Sequence, residues 1–214
     1  MNPVTTKPAA RRGHLLPSGE PRPRYDLDRL LAVAVSVFTE RGYDGTSIEH
    51  LAKASGLSKS SIYHHIESKE QLLRIALGRA LDPLLATTRE DGALTGRAVD
   101  RLRYLIRRDV QVLADRLPYV TLLLRVHGNT ETERWAMEQR RGFDKVVAGL
   151  VQKAIDEGDI RPDVDAATTA RLMFGLINSL IEWYRPSRDL TADVLSDRIT
   201  AMIFDGIGTG AGRG

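Results

Sequence analysis

The chain contains no cysteine. A disulfide framework, a Cys-ligated zinc or iron–sulfur site and a cysteine nucleophile are therefore excluded. Long apolar runs are missing as well: the longest stretches free of Asp, Glu, Lys and Arg are Leu30 to Thr39 and Leu172 to Ile181, ten residues each. A membrane-spanning helix takes about 20 apolar residues, so no segment is expected to cross a bilayer. The first 24 residues hold only the pair Leu15-Leu16 where a secretory signal needs an apolar stretch, which predicts a cytoplasmic protein. No Gly-rich phosphate loop, nucleophile elbow or metal-ligand cluster is present, and scattered carboxylates such as Glu138 and Glu182 cannot be paired by spacing. Neither an enzyme nor a cofactor is expected. The adjacent pair His64-His65 does not change this, because neighbours on a helix point about 100° apart.

What is present is an ordinary globular composition, with 214 residues, 42% hydrophobic and 28% charged. Charge is unevenly spread. Residues 1–24 carry five cations against one anion, with five prolines and two glycines, and read as a disordered basic arm. Residues 25–70 carry five basic and seven acidic side chains, and residues 71–214 carry 21 basic and 20 acidic. The basic surplus thus belongs to the arm, either a solvated tail or a nucleic-acid-binding extension.

From Tyr25 onward the apolar period is that of a helix. Leu27, Leu30, Leu31, Ala34, Val35 and Phe38 share one face of a segment from Asp26 to Arg41, capped by Asp26 and stopped by Gly42. Thr46-Ser47-Ile48-Glu49 reads as a capping box in which Thr46 and Glu49 satisfy each other's backbone N–H, opening a helix over 47–54. Ser55-Gly56-Leu57 is a tight turn, Ser58 caps a short helix over 59–65, and Ser68-Lys69-Glu70-Gln71 is a second capping box opening a helix to about Ala80. Two short helices joined by a Gly-containing turn form a helix-turn-helix, although any small helical hairpin shares that spacing. The second helix turns Leu57 and Ile62 inward and leaves Lys59, Ser60, Ser61, Tyr63, His64 and His65 on polar faces able to enter a major groove.

The segments Phe38-Thr39-Glu40-Arg41-Gly42-Tyr43-Asp44-Gly45-Thr46-Ser47-Ile48, Leu51 to Ile66 and Ser68-Lys69-Glu70-Gln71-Leu72-Leu73 together resemble the DNA-binding domain of TetR-family transcriptional regulators. The resemblance implies an all-α homodimer: an N-terminal three-helix DNA-binding domain with helix-turn-helix over 25–70, and a helical ligand-binding and dimerisation domain over 71–214 whose last two helices pair with a second subunit. It implies that Tyr63 contacts a phosphate, that Lys69 holds another beside a helix N-terminus, that Lys59, Ser60 and Ser61 face base edges, that His65 touches the backbone, and that Thr46 and Ser47 meet the opposite phosphate strand; His64 is a further DNA-binding candidate. The partner is double-stranded operator DNA. The net acidity of residues 25–70 departs from the positive field of a nucleic-acid binder and suggests that the arm supplies part of the affinity. A non-specific DNA-packaging protein is disfavoured by the same acidity.

Beyond the fourth helix, Pro83 should end or kink it, residues 90–96 read as a loop, and helices follow over 97–117, from Pro118 to about Gly128, over 130–157, over 165–184 and over 191–204. The tail from Gly206 reads as frayed. The helix over 165–184 is apolar nearly all round and must be buried on several sides. Gly175 and Ser179 allow close helix approach, and the last helix adds Ile199, Met202 and Ile203. On pattern alone this pair equally completes a monomeric core; the resemblance makes it a dimer face. Tyr104, Arg125, His127, Trp135, Phe143, Phe174 and Asn178 are the candidate contacts of a small apolar effector. Asn178-Ser179-Leu180-Ile181-Glu182-Trp183-Tyr184-Arg185-Pro186 with Leu190-Thr191 resembles the C-terminal signature of a TetR subgroup, with Ser187-Arg188 where that subgroup has Gly-Gly. The subgroup implies repression of lipid, steroid or aromatic-acid catabolism and an acyl-CoA effector. Arg101, Arg103, Arg107 and Arg108 offer cations for its phosphates; as a solvated face they would instead pair with Asp100 and Asp109. A drug-efflux repressor with another apolar effector is the alternative, and a helical enzyme without DNA binding a more remote one.

Overall fold

The computed structural model describes residues 27–207, with side chains as far as Gly206. The basic arm, Asp26 as a cap and the glycine-rich end after Ile207 lie outside the described residues. The described residues form eleven helices and no strand: α1 Leu27–Arg41, α2 Ile48–Ser55, α3 Lys59–Tyr63, α4 Lys69–Thr87, α5 Asp91–Leu94, α6 Ala98–Asp115, α7 Leu117–Leu124, α8 Glu131–Asp156, α9 Ala166–Asn178, α10 Leu180–Trp183 and α11 Ala192–Ile207. Among them no helix is long and apolar enough to cross a membrane.

The apolar stripe of α1 does what its period predicts: Leu30, Leu31, Ala34, Val35 and Phe38 are all buried. Leu51 of α2, Ile62 of α3 and Ile66 close over that stripe, and Gly56 takes the left-handed conformation (φ 70°) that reverses the chain between the two short helices. The structure corrects the cap of α2. Its N-cap is Ser47, whose hydroxyl accepts from His50 N–H while His50 Nδ1 accepts from Ser47 N–H. Thr46 instead turns its hydroxyl onto the Gly42 carbonyl (2.7 Å) and is only 2% exposed. At α4, Ser68 caps the Gln71 N–H, but the Gln71 amide oxygen accepts from Glu67 N–H, so that box is only half formed.

α4 is buried on several sides by Leu72, Leu73, Ala76, Leu77, Ala80 and Leu81 and packs on α1, α6, α7 and α8. It does not end at Pro83 as the sequence suggests. A proline inside a helix costs about 3 kcal/mol. The turn beyond it puts Leu84 and Leu85 on the core and buries Thr87 completely. Burying a leucine side chain fully stabilises by about 1.5–3 kcal/mol, so two partly buried ones together offset the missing rung.

The expected loop over 90–96 contains the one-turn α5, held on α6 by Tyr104 and Arg108, which both donate to the Glu90 carboxylate. Gly92 permits this, because a Cβ there would lie 2.5 Å from the Tyr104 ring. α6 is central, with α4, α8 and α11 packed on it. Pro118 sits in the first turn of α7, where its missing N–H costs nothing. α8 starts at Thr130, where the sequence places its beginning, and the structure adds a complete capping box with Glu133. α9 starts at Asp165, whose carboxylate accepts from Thr168 N–H (2.8 Å). The helix expected over 165–184 is interrupted at Ser179, whose hydroxyl bonds back to the Leu176 carbonyl (2.7 Å), a competing local bond that disturbs helices.

Leu77 is fully buried in the helix shared by both halves of the chain. Leu77→Ala is expected to lower the unfolding free energy by about 2–5 kcal/mol in urea titrations. A loss below about 1 kcal/mol would contradict the packing described for α4.

Candidate nucleic-acid interface and ligand cavity

α3 stands clear of the molecule on its polar side. Tyr63 is more than half exposed, and Ser60, His64 and Lys59 are exposed beside it. Ser61 is partly covered and pairs its hydroxyl with Ser58 (3.0 Å). The helix ends at Tyr63, with His64 as its C-cap, so His65 lies in the following turn. Lys59 is engaged rather than free: its ammonium pairs with Glu49 of α2. That bond, before a weaker contribution from Ser47, lowers the Glu49 carboxyl to about 2. Both partners are solvent-exposed, and exposed pairs contribute about 0–1 kcal/mol, so Lys59 exchanges Glu49 for another acceptor at little cost.

Two expected phosphate contacts change character. Thr46 is buried in the turn before α2 and spends its hydroxyl on Gly42, so Ser47 is left to open that helix. Lys69 donates to the carbonyls of Tyr43 (2.9 Å) and Thr46 (2.7 Å) and lies 4.0 Å from the Tyr43 ring centroid. Its charge braces the α1–α2 loop against α4 instead of facing outward. Tyr43 in turn packs edge-on against Phe38. Burial, and then the carboxylates of Glu70, Asp44 and Glu133, push its hydroxyl up to about 12.

A second set of contacts ties this unit to the rest of the chain. The turn between α7 and α8 carries it. Asn129 donates to the Asp44 carboxylate (2.7 Å), Thr132 N–H donates to Glu70 (3.3 Å), and Arg125 donates to the Thr39 carbonyl (3.1 Å). The turn is held in shape by Glu133, whose carboxylate accepts from the N–H groups of Gly128 (3.0 Å) and Asn129 (2.6 Å). The Arg74 guanidinium lies 3.3 Å from the Trp135 ring centroid, joining α4 to α8. The sequence places a helix start at residue 130, but nothing in it reveals what the turn touches.

Three of the seven candidate effector contacts converge. Phe143 of α8 and Phe174 and Asn178 of α9 line one cavity of about 230 Å³, with the two rings 5.7 Å apart. Leu84 adds an apolar wall. His127 lines a larger open groove of about 920 Å³ beside it, and Phe143 borders both. The others are corrections. Tyr104 is turned onto Glu90 at α5, Trp135 is stacked under Arg74, and Arg125 lies in a separate groove between α1, α7 and α10. The arginines of α6 are likewise tied to their own chain. Arg101 donates to the Ala93 carbonyl, Arg103 lies over Phe204, Arg107 pairs with Asp197 and Arg108 with Glu90.

Asp109, which the sequence assigns to that solvated face, is instead 9% exposed and lines the cavity with Arg140, Asp144 and Arg171. Its helix turns it inward with Leu102, Leu105 and Ile106, one and two turns back on the buried side of α6. Burial, and then the nearby Asp144 charge, raise its carboxyl from 3.8 to about 7 against the opposing pull of Arg140. Burial also lowers Arg140.

The candidate dimer residues divide. Gly175, Ser179 and Met202 are exposed, Met202 at 56%. Ile199 and Ile203 are buried inside the chain, because α11 lays its apolar stripe on α6. Leu172 of α9 at 70% exposure and Trp183 of α10 at 53% are exposed as well.

Residues 30–75 match the model of the tetR family of bacterial regulatory proteins, and residues 95–207 match the tetracyclin repressor-like C-terminal domain. Among solved structures, SCO3833 of Streptomyces coelicolor, a member of the TetR transcriptional regulator family, is 55% identical, covers 83% of this chain and 90% of its own, and superposes with a TM-score of 0.79. The transcriptional repressor KstR2 of Mycobacterium tuberculosis is 27% identical over 186 residues, 83% of this chain and 90% of that protein; its structure, described as a ketosteroid transcriptional regulator, has a TM-score of 0.75 over 87% of this chain and 97% of its own. AibR, solved in complex with isovaleryl coenzyme A and operator DNA, is 26% identical with a TM-score of 0.69 over 83% of this chain and 97% of its own.

The buried carboxyl of Asp109 has a measurable signature. Between 3.8 and about 7 the folded chain keeps a proton that the unfolded chain releases, so this group removes stability as pH rises through that window. Asp109→Asn abolishes the ionisation. Its gain in melting temperature over the native chain is expected to be larger at pH 8 than at pH 5, and an equal gain at both would contradict a buried carboxyl.

Proposed function

Because the chain belongs to the TetR family of bacterial regulatory proteins, we propose that it is a homodimeric, effector-responsive repressor that binds double-stranded operator DNA in the cytoplasm. Residues 25–70 form the DNA-binding unit and residues 71–214 the effector and dimerisation unit. α3 enters the major groove. Ser60, Ser61 and Lys59, once released from Glu49, read base edges; Tyr63, His64, His65 and the Ser47 end of α2 contact phosphates. The exposed apolar residues Leu172, Trp183 and Met202, with the exposed small residues Gly175 and Ser179, contribute to the dimer face.

The effector is an acyl-CoA-type molecule, and the regulated genes serve lipid, steroid or aromatic-acid catabolism. The observation that carries this reading is the pairing of the 230 Å³ cavity with the 920 Å³ groove across Phe143. The cavity suits a compact acyl head. The groove is lined by His127, Arg134, Arg141 and Lys145 against Glu138, a cationic surface for phosphates. The isovaleryl coenzyme A bound to AibR and the ketosteroid description of KstR2 support it.

Release from DNA follows by population shift. His127, Gly128 and Arg134 border the groove, and the same turn holds Asp44 through Asn129 and Glu70 through Thr132. An effector that settles better when this turn moves also moves the recognition helices, which must be spaced about 34–36 Å apart to fit successive turns of DNA.

In fluorescence anisotropy with DNA from upstream of its own gene, specific binding over scrambled DNA is expected, reversed by added acyl-CoAs. Tyr63→Phe should weaken binding about two- to tenfold for all sequences, the value of one hydrogen bond. Lys59→Ala should also relax specificity. Flat calorimetric titrations across an acyl-CoA panel would reject the thioester effector. Sedimentation at micromolar concentration should give a dimer that Leu172→Glu dissociates; a native monomer would reject the dimer face.

A further inference from the structure

The cavity between α6, α8 and α9 is small for a complete ligand. Its 230 Å³ equals the volume of roughly eight water molecules at about 30 Å³ each. Its volume fits the end of a larger molecule, and the groove of about 920 Å³ adjoins it. If that end were a bare hydrocarbon, the cavity would be lined like an apolar core. It is not. Its lining is mixed: Leu84, Phe143 and Phe174 are apolar, while Asp109, Arg140, Asp144, Arg171 and Asn178 are polar or charged.

Among the described residues Asp109, Arg140 and Asn178 make no hydrogen bond and no ion pair with the protein. Asp109 is more than nine-tenths buried, so leaving its carboxyl unpaired is costly. Arg140 is partly buried with its charge balanced at a distance by Asp109 and Asp144, not in contact. Buried polar groups in folded proteins are nearly always paired. Asp109, nine-tenths buried and without a protein partner, stands beside the partly buried Arg140 and Asn178 around a single hollow, and these three side chains are free to pair with something that enters it.

We infer, resting on the effector reading above, that the buried end of the effector is a compact ring or short branched group bearing a hydroxyl or keto oxygen, held by Asp109, Arg140 and Asn178. A guanidinium and an amide N–H₂ donate to such an oxygen, and the carboxyl of Asp109 accepts from a hydroxyl or, when protonated, donates to a ketone. An amine is disfavoured, because Arg140 and Arg171 both border the cavity. A carboxylate is disfavoured by Asp109 and Asp144. The neutral oxygen function is the group that satisfies all three side chains without adding charge. The rings of Phe143 and Phe174 then hold the carbon skeleton that carries it.

Isothermal titration calorimetry with three coenzyme A thioesters tests this: cyclohexanecarbonyl-, 4-hydroxycyclohexanecarbonyl- and 4-oxocyclohexanecarbonyl-CoA. The native protein is expected to bind at least one oxygenated ring about ten- to a hundredfold more tightly than the plain ring, since a site built to pair with an oxygen rejects the analogue lacking it. Asp109→Leu and Asn178→Leu should erase that preference. Equal or tighter binding of the plain ring by the native protein, or an undiminished preference in both variants, would overturn the inference. If no thioester binds, the thioester reading itself fails, and the cavity is then judged with phenol and toluene, which are nearly equal in size. A shift of the Asn178 side-chain amide resonance with phenol but not toluene supports the oxygen function. The same response to both, or to neither, overturns it.

Discussion

α4 is buried against both halves of the molecule, and most of what the protein does depends on that constraint. Its first turns close the core under α1, and its later turns pack on α6, α7 and α8. A close-packed interior does not deform gradually, so a displacement of α8 or α6 is passed to α1 as a movement of α4. The brace of Lys69 on the carbonyls of Tyr43 and Thr46 makes the α1–α2 loop follow. The turn between α7 and α8 adds a parallel route, because it touches Asp44 and Glu70 directly. The cavity lined by Phe143 and Phe174 and the helix-turn-helix unit are thus joined by two connections that meet at the N-terminal end of α4.

The helical architecture was legible because its signals are local. The stripe of α1, the glycine turn at Gly56 and the helix starts at Thr130 and Asp165 each rest on a few residues, and each folds as the sequence predicts. The misreadings share the opposite cause. Thr46 and Ser47 are both good caps; which one serves depends on the Gly42 carbonyl, reached only once the loop has folded. Pro83 is a strong local stop, outweighed by what the following turn buries. Ile199 and Ile203 look like any apolar stripe, and only packing on α6 decides that they face inward.

The site divides in the same way. The exposed side of α3 follows from its sequence, since a five-residue helix with Ile62 buried has its remaining positions outward. The cavity does not. Phe143, Phe174 and Asn178 are legible as large or polar groups on amphipathic helices, whereas Asp109 sits in a run of charged residues and reads as solvated. Its position on the inward side of α6 is a matter of helical phase, and the unpaired state of its carboxyl is a property of three helices together.

The pairing of Lys59 with Glu49 bears on how such a protein finds its target inside a cell. Attraction to arbitrary DNA scales with the number of cations offered to phosphates, and a cation shared with a neighbouring carboxylate offers less charge to any one phosphate. The exposed pair of Lys59 and Glu49 therefore tempers the charge that α3 presents to solvent.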